Sequence, residues 1–315
     1  MIRQTTGQLD ADGRLGKQML LLGLVLGAGV LAAAAVYGIA LRWPERTVAP
    51  KISGELIKEE IAKHPGLRAA LRRRVDPGAL TGLALTAAVA LTAAGAVAVG
   101  ILSQMARRNQ GIARWDIRLA RLGAQHETHL STTVMRDISL LGGTLGIILI
   151  AVSITALEFR RIRQKSAVAF LVLVVAGQFA LSNSVKIIVD RARPDIDRLT
   201  GFSGASFPSG HATAAAATFA ACALLVGRSR RTRVKALCAA VAGGVAVSVA
   251  ATRVFLGVHW LTDVIAGLFL GWSWFALCSI AFGGRLLRFG APIAESEQVA
   301  VSQPTRDESQ VNIAG

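Results

Sequence analysis

Five ionisable residues of the chain border or interrupt long apolar runs: Lys186, Arg193, Arg253, His259 and Asp263. A charge near the bilayer centre costs roughly 2.5 to 3.5 kcal/mol even on lenient insertion scales, so each position needs a reason. Taken singly, the basic residues read as topology anchors and snorkelling ends. Their settings are more specific than that. Lys186 is followed by six residues and then Arg193 and Pro194, and the stretch Pro208, Ser209, Gly210, His211 opens an apolar segment. Ser209 suits a helix N-cap, Gly210 lets an anion approach the backbone, and a helix start offers unpaired N–H groups at the positive end of its dipole. Arg253 closes another apolar run, and His259 with Asp263 opens the last one at i, i+4 spacing, on one helical face. Three cations, a helix start, two histidines and a carboxylate suit a phosphate monoester of charge roughly −1.5 to −2 near neutral pH. The same cations favour phosphoryl transfer, which depends mainly on positioning and electrostatics.

Other candidate groups fall away. His126, Glu127 and His129 miss the H-E-x-x-H zinc spacing, because position 130 is Leu130. His64, beside Pro65, reads as a solvated loop residue. Cys222, Cys238 and Cys278 lie far apart inside apolar runs with no C-x-x-C pair, and read as small buried apolar residues.

The elements that must position these residues follow from composition. In 315 residues, 53% are hydrophobic and 17% charged, and the mean hydropathy is +0.51. Disorder and a disulfide scaffold are excluded. The net charge of +16 points, in a chain this apolar, to cations at membrane surfaces rather than to nucleic acid. A spanning helix needs about 20 mostly apolar residues. Suitable runs fall near 19–41, 79–104, 137–157, 167–189, 209–226, 236–257 and 260–282, without the alternation of a membrane barrel. Gly267 and Gly271 sit at small-xxx-small spacing. The expected fold class is all-α, a polytopic transmembrane helix bundle.

Orientation follows from the short basic loops, which stay cytoplasmic. One carries Arg160, Arg161, Arg163 and Lys165; another carries Arg228, Arg230, Arg231, Arg233 and Lys235; Arg285 and Arg288 follow the last helix. The 190–208 loop and the 253–263 turn then face outward, together with 105–136. Counting back puts the N-terminus outside, against the pull of Arg3, Arg14 and Lys17, so the orientation of the first segment stays open. The first run is too long for a signal peptide and reads as a retained helix. In 112–122, Ile112, Trp115, Leu119 and Leu122 are expected on one helical face and Arg114, Arg118 and Arg121 on another, as in a headgroup-level helix or a solvated basic one. The 55–74 stretch is similar but broken at Pro65, and Arg72, Arg73 and Arg74 read as an anchor.

The three blocks Lys186-x6-Arg193-Pro194, Pro208-Ser209-Gly210-His211 and Thr252-Arg253-x5-His259-x3-Asp263 resemble, in order, the signature of the type 2 phosphatidic acid phosphatase (PAP2) superfamily. The likeness covers roughly 137–282, with Thr252 where the family usually has Ser. It implies a six-helix membrane core, with 79–104 as its first helix and one extra helix before it. Composition and this likeness together give the expected layout: a polar N-terminal tail at 1–18, transmembrane segments with basic amphipathic loops at 19–136, a PAP2-like catalytic core at 137–284 and a disordered tail at 285–315. It also implies roles: His259 as nucleophile, Asp263 orienting its imidazole, and His211 as proton donor and later base. Lys186, Arg193, Arg253, Ser209 and Gly210 bind the phosphoryl oxygens, with no metal and no cofactor. The expected substrate is a lipid phosphate, such as polyprenyl diphosphate, phosphatidylglycerol phosphate or phosphatidate, met at the outer face of the cell membrane. A lipid phosphotransferase and a non-catalytic phosphate-binding membrane protein are the alternatives. The lipid, the acceptor and the oligomeric state are not legible.

Overall fold

A computed structural model describes residues 2–42, 80–162, 165–196, 199–201, 204–227 and 230–286. The 55–74 stretch, His64, Arg163, Arg228, Arg288 and residues 287–315 of the expected tail lie outside these residues. Among the described residues the chain forms nine α-helices and one 3-10 turn: α1 (Ile2–Arg42), α2 (Leu80–Arg108), the turn Gly111–Trp115, α3 (Asp116–Gln125), α4 (His129–Leu140), α5 (Thr144–Ile162), α6 (Lys165–Val189), α7 (Gly210–Gly227), α8 (Thr232–Phe255) and α9 (Leu261–Leu286). Among the described residues, five helices are long and apolar enough to cross a membrane: Met19–Arg42 of α1, Ala167–Val189, Gly210–Gly227, Thr232–Phe255 and Leu261–Phe282. Large apolar side chains such as Leu145, Leu149 and Val152 on α5 and Leu31 on α1 stay exposed on the bundle surface, as a lipid-facing surface requires. The protein is a polytopic helical membrane protein. Helix α1 begins at Ile2 and so runs through the stretch read as a polar tail.

Small residues set the helix spacing. A Cβ on Gly267 of α9 would lie 2.7 Å from the Ser209 carbonyl oxygen and 3.0 Å from Ala212 Cβ, and one on Gly271 would lie 2.8 Å from Ala216 Cβ. The pair noted in the sequence thus brings α9 against the start of α7. Gly29 of α1 and Gly244 of α8 meet in the same way: a Cβ on Gly29 would lie 3.0 Å from the Gly244 carbonyl oxygen, and one on Gly244 2.9 Å from that of Gly29. Leu21 and Val25 of α1 pack with Phe255, Leu256 and Val258 at the end of α8, whereas Val36 meets Gly243 further back. Helix α1 therefore runs antiparallel to α8, and residue 19 lies at the end of the bundle where α8 stops.

The single helix expected at 137–157 is instead two, α4 and α5, bent by 50° about residues 141–143. The cause is local. Gly142 is pressed between neighbours, since a Cβ there would lie 2.9 Å from the His211 carbonyl oxygen and 2.5 Å from Val249 Cγ1. Two consecutive glycines let the chain turn at a site too crowded for a continuous helix with side chains.

The amphipathic reading of 112–122 also changes. Ile112 and Trp115 are exposed, while Leu119 and Leu122 pack with Leu21, Phe255 and Leu256. The 3-10 turn at Gly111–Trp115 breaks the 3.6-residue period, so residues before and after it do not share one face. Helix α3 buries Asp116, Ala120 and Gly123, and Gly123 lies so close to the Phe255 backbone that a Cβ would reach within 3.0 Å of its Cα. Arg114, Arg118 and Arg121 remain exposed, with the Arg118 guanidinium 5.2 Å from the centre of the Trp115 ring.

Candidate active site

Four helix ends meet at one end of the bundle. Lys186 lies in the last turn of α6 and Arg253 in the last turn of α8. Gly210 and His211 begin α7, and Asp263 lies in the first turn of α9. The loop after α6 is laced to the loop before α7: Ser206 donates its N–H to the Arg191 carbonyl at 2.8 Å and its hydroxyl to the Ala192 carbonyl at 2.9 Å. Arg193 is held by its own donors, giving Nε to the Gly204 carbonyl at 2.9 Å and Nη1 to the Val258 carbonyl at 2.8 Å. All eight residues singled out by spacing are brought to this end, within reach of one another's charges: Lys186, Arg193, Arg253 and His259 all act electrostatically on His211.

His259 is 2% exposed and Asp263 fully buried. The Arg193 Nη1–H group lies 3.2 Å from His259 Nε2, which makes Nε2 the acceptor and leaves the ring proton on Nδ1. Nδ1 faces Asp263 Oδ2 at 3.6 Å, longer than a hydrogen bond, and has no closer partner among the described residues. Burial pushes the imidazole pKa down to about 4, against the attraction of Asp263, which raises it, and with further lowering by Arg193 and Arg253. At neutral pH His259 is a neutral imidazole with its Nε2 lone pair turned toward the cations.

The cradle around Gly210 is open. Ser209 is fully buried and its N–H donates to the Asp263 carbonyl at 3.0 Å, while among the described residues its hydroxyl accepts a long 3.5 Å contact from the Ala212 N–H. The loose cap leaves the oxygen available. A Cβ on Gly210 would stand 3.9 Å from both Lys186 Nζ and Ser182 Oγ, so the missing side chain keeps space between an ammonium and a hydroxyl. Ser182 is buried and its hydroxyl has no partner among the described residues. Gly143, in the α4–α5 bend, lies beside the His211 ring, its absent Cβ 3.6 Å from Nε2. Arg253 gives Nη1 to Ser139 Oγ at 2.7 Å, and its buried Nε is unpartnered among the described residues. Thr252, at the position that departs from the family pattern, turns its hydroxyl to the Val249 carbonyl at 2.7 Å, inside its own helix.

Several residues at the site escape sequence reasoning. Arg191 pairs with Asp263 and with Asp116 of α3, and Thr262 joins both. One signal was present: Asp116 is the single acidic residue in a stretch that holds Arg107, Arg108, Arg114, Arg118 and Arg121. Ser139, Ser182 and the two glycines of the bend carry no such mark.

A helical membrane protein whose helix ends and adjoining loop gather three cations, Lys186, Arg193 and Arg253, around two histidines belongs to the class that handles phosphoryl groups. The PAP2 superfamily model matches residues 167–286. The chain is 35% identical over 159 residues to phosphatidylglycerophosphatase B of Bacillus subtilis, covering 50% of this chain and 77% of that one. It is 37% identical over 145 residues to lipid A 1-phosphatase of Rhizobium etli, covering 40% of this chain and 57% of that one. The crystal structure of a transmembrane PAP2-type phosphatidylglycerolphosphate phosphatase from Bacillus subtilis is similar over 63% of this chain and 96% of that one, with a TM-score of 0.55 at 27% identity. The chain belongs to the PAP2 superfamily and is a phosphatase.

Proposed function

We propose that the chain hydrolyses the phosphomonoester or diphosphate headgroup of a membrane lipid through a phosphohistidine intermediate, at the outer face of the cell membrane. The observation that carries this reading is the buried His259 ring set between Arg193, whose Nη1 lies 3.2 Å from Nε2, and Asp263, whose Oδ2 lies 3.6 Å from Nδ1. The lipid phosphate enters with its oxygens on Lys186, Arg193, Arg253, the Ser209 hydroxyl and the Gly210 N–H, and Ser182 borders the same space. His259 Nε2 attacks phosphorus, the bond from phosphorus to the lipid oxygen breaks, and protonated His211 gives its proton to the departing oxygen. Asp263 stabilises the positive charge that develops on the His259 ring. Water then attacks the phosphohistidine while neutral His211 takes its proton, the P–N bond breaks, and inorganic phosphate leaves with His259 neutral again. Polyprenyl diphosphate, phosphatidylglycerol phosphate and phosphatidate are all compatible with a site that grips phosphate alone.

The outward placement rests on charge asymmetry. Arg230, Arg231, Arg233 and Lys235 lie at the α7–α8 turn, the end of the bundle opposite Arg253 and the site, and such basic turns stay cytoplasmic. A lipid site at the other end then faces out.

The test is phosphate release from a panel of lipid mono- and diphosphates by purified protein in detergent. Wild-type protein should release phosphate, be blocked by vanadate and retain activity in chelator, while His259→Ala should be inactive. Equal turnover by His259→Ala overturns the mechanism. A labelled phosphate recovered on a lipid hydroxyl rather than free in solution overturns hydrolysis in favour of transfer.

A further inference from the structure

We infer that Asp116 and Arg191 are positioning residues for the His259–Asp263 pair, so that helix α3, outside the matched family region, completes the catalytic apparatus. The inference rests on the phosphohistidine reading above and extends it.

The geometry is a chain of short polar contacts. Arg191 Nη1 donates to Asp263 Oδ1 at 2.6 Å, and Nη2 donates to Asp116 Oδ2 at 2.8 Å. Asp116 is 2% exposed. Its Oδ1 accepts the Thr262 N–H at 2.9 Å and its Oδ2 the Thr262 hydroxyl at 2.7 Å. Thr262 precedes Asp263 in the first turn of α9, so Asp116 satisfies one of the unpaired N–H groups at that helix start. Asp263 Oδ2 in turn accepts the Trp260 N–H at 2.9 Å. Both carboxylate oxygens of Asp263 are therefore engaged, Oδ1 by Arg191 and Oδ2 by the Trp260 backbone. The plane of the carboxylate facing His259 Nδ1 is fixed from behind. Arg191 is fixed as well, by two carboxylates, by the Thr262 hydroxyl at 2.7 Å and by stacking 5.4 Å over the Trp260 ring.

Two charged carboxylates on one arginine also set the local charge. Arg191 alone on Asp263 would neutralise the carboxylate that must support a positive imidazole. Asp116 shares that guanidinium and leaves Asp263 a stronger partner for His259. The groups facing His259 are Arg193 from the loop after α6, Arg253 from α8, Asp263 from α9 and His211 from α7. None of these is Asp116 or Arg191, so the pair acts through Asp263 and does not touch the reacting atoms.

The charge argument gives opposite signs for two variants. Asp116→Asn keeps an acceptor for the Thr262 N–H but removes a negative charge, so the acid limb of the kcat/KM profile should move to lower pH. Arg191→Gln removes a positive charge and should move the same limb to higher pH. Each should lower kcat by about ten- to a hundredfold with KM little changed, an effect of the size seen for partners that orient a reacting or ligating group. The double variant should be no slower than the slower single one, because both act on one contact chain. Vanadate binding by each variant, measured beside its melting temperature, reports whether the phosphate cradle survives. Wild-type kcat in both variants, or losses that follow melting temperature with an unmoved pH profile, overturns the inference. If His259→Ala is inactive and these variants are not affected, only the positioning role is lost. If His259→Ala is active, the mechanism itself has failed.

Discussion

At the scale of single residues, burial decides the protonation of His259. The unfolded chain binds the imidazole proton near pH 6.5, whereas the folded chain resists it until about pH 4, chiefly because the ring is desolvated. The folded pKa is the lower of the two, so this group's stability contribution is complete above about pH 6.5 and is lost as pH falls through about 4. The melting temperature of wild-type protein in detergent should fall over that window, and the fall should be shallower in His259→Ala. Equal slopes would show that His259 is not a buried neutral ring. The same residues mark where sequence reading stops. His211, His259, Arg193 and Asp263 were legible because each sits in a short block of fixed spacing at the edge of an apolar run. Arg191 and Asp116 were not, because their contacts join residues 72 and 75 positions apart, and pattern along the chain does not report which distant polar groups meet.

At the scale of elements, the glycines carry the positional information. Five of the seven apolar runs appear as the expected spanning helices, since length and hydropathy alone define such a segment. The 137–157 run broke because its outcome depends on crowding by His211 and Val249, a tertiary fact. Gly267 gives the sharpest test. Its absent Cβ would press on the Ser209 carbonyl and Ala212, so Gly267→Val should push α9 off the start of α7. Overpacking of this kind costs roughly 1 to 3 kcal/mol, and because the displaced backbone belongs to the proposed phosphate cradle, vanadate affinity should weaken along with the melting temperature. Unchanged vanadate binding in that variant would mean that the α7–α9 crossing does not set the cradle.

At the scale of the whole molecule, the packing of α1 settles what the charges left open about its direction relative to the site. Leu21 and Val25 lie beside Phe255 and Val258, so α1 enters the bundle at the end that holds the histidines, despite Arg3, Arg14 and Lys17. A reporter fused before α1 should therefore register on the same side as a label placed in the 190–196 loop, and on the opposite side from one at Arg231. Opposite readings for the first two labels would overturn the antiparallel arrangement of α1 and α8.

Because the proposed mechanism draws its groups from four separate helix ends and the loops that join them, turnover should gauge axial alignment with unusual sensitivity. A helix that slips lengthwise by one residue carries its terminal group about 1.5 Å away, enough to break a hydrogen bond while leaving helix content untouched. A solubilised preparation with full circular dichroism signal and no turnover would then be a bundle whose rods have slid out of step, and reconstitution into a bilayer of matching thickness is the treatment that should bring it back.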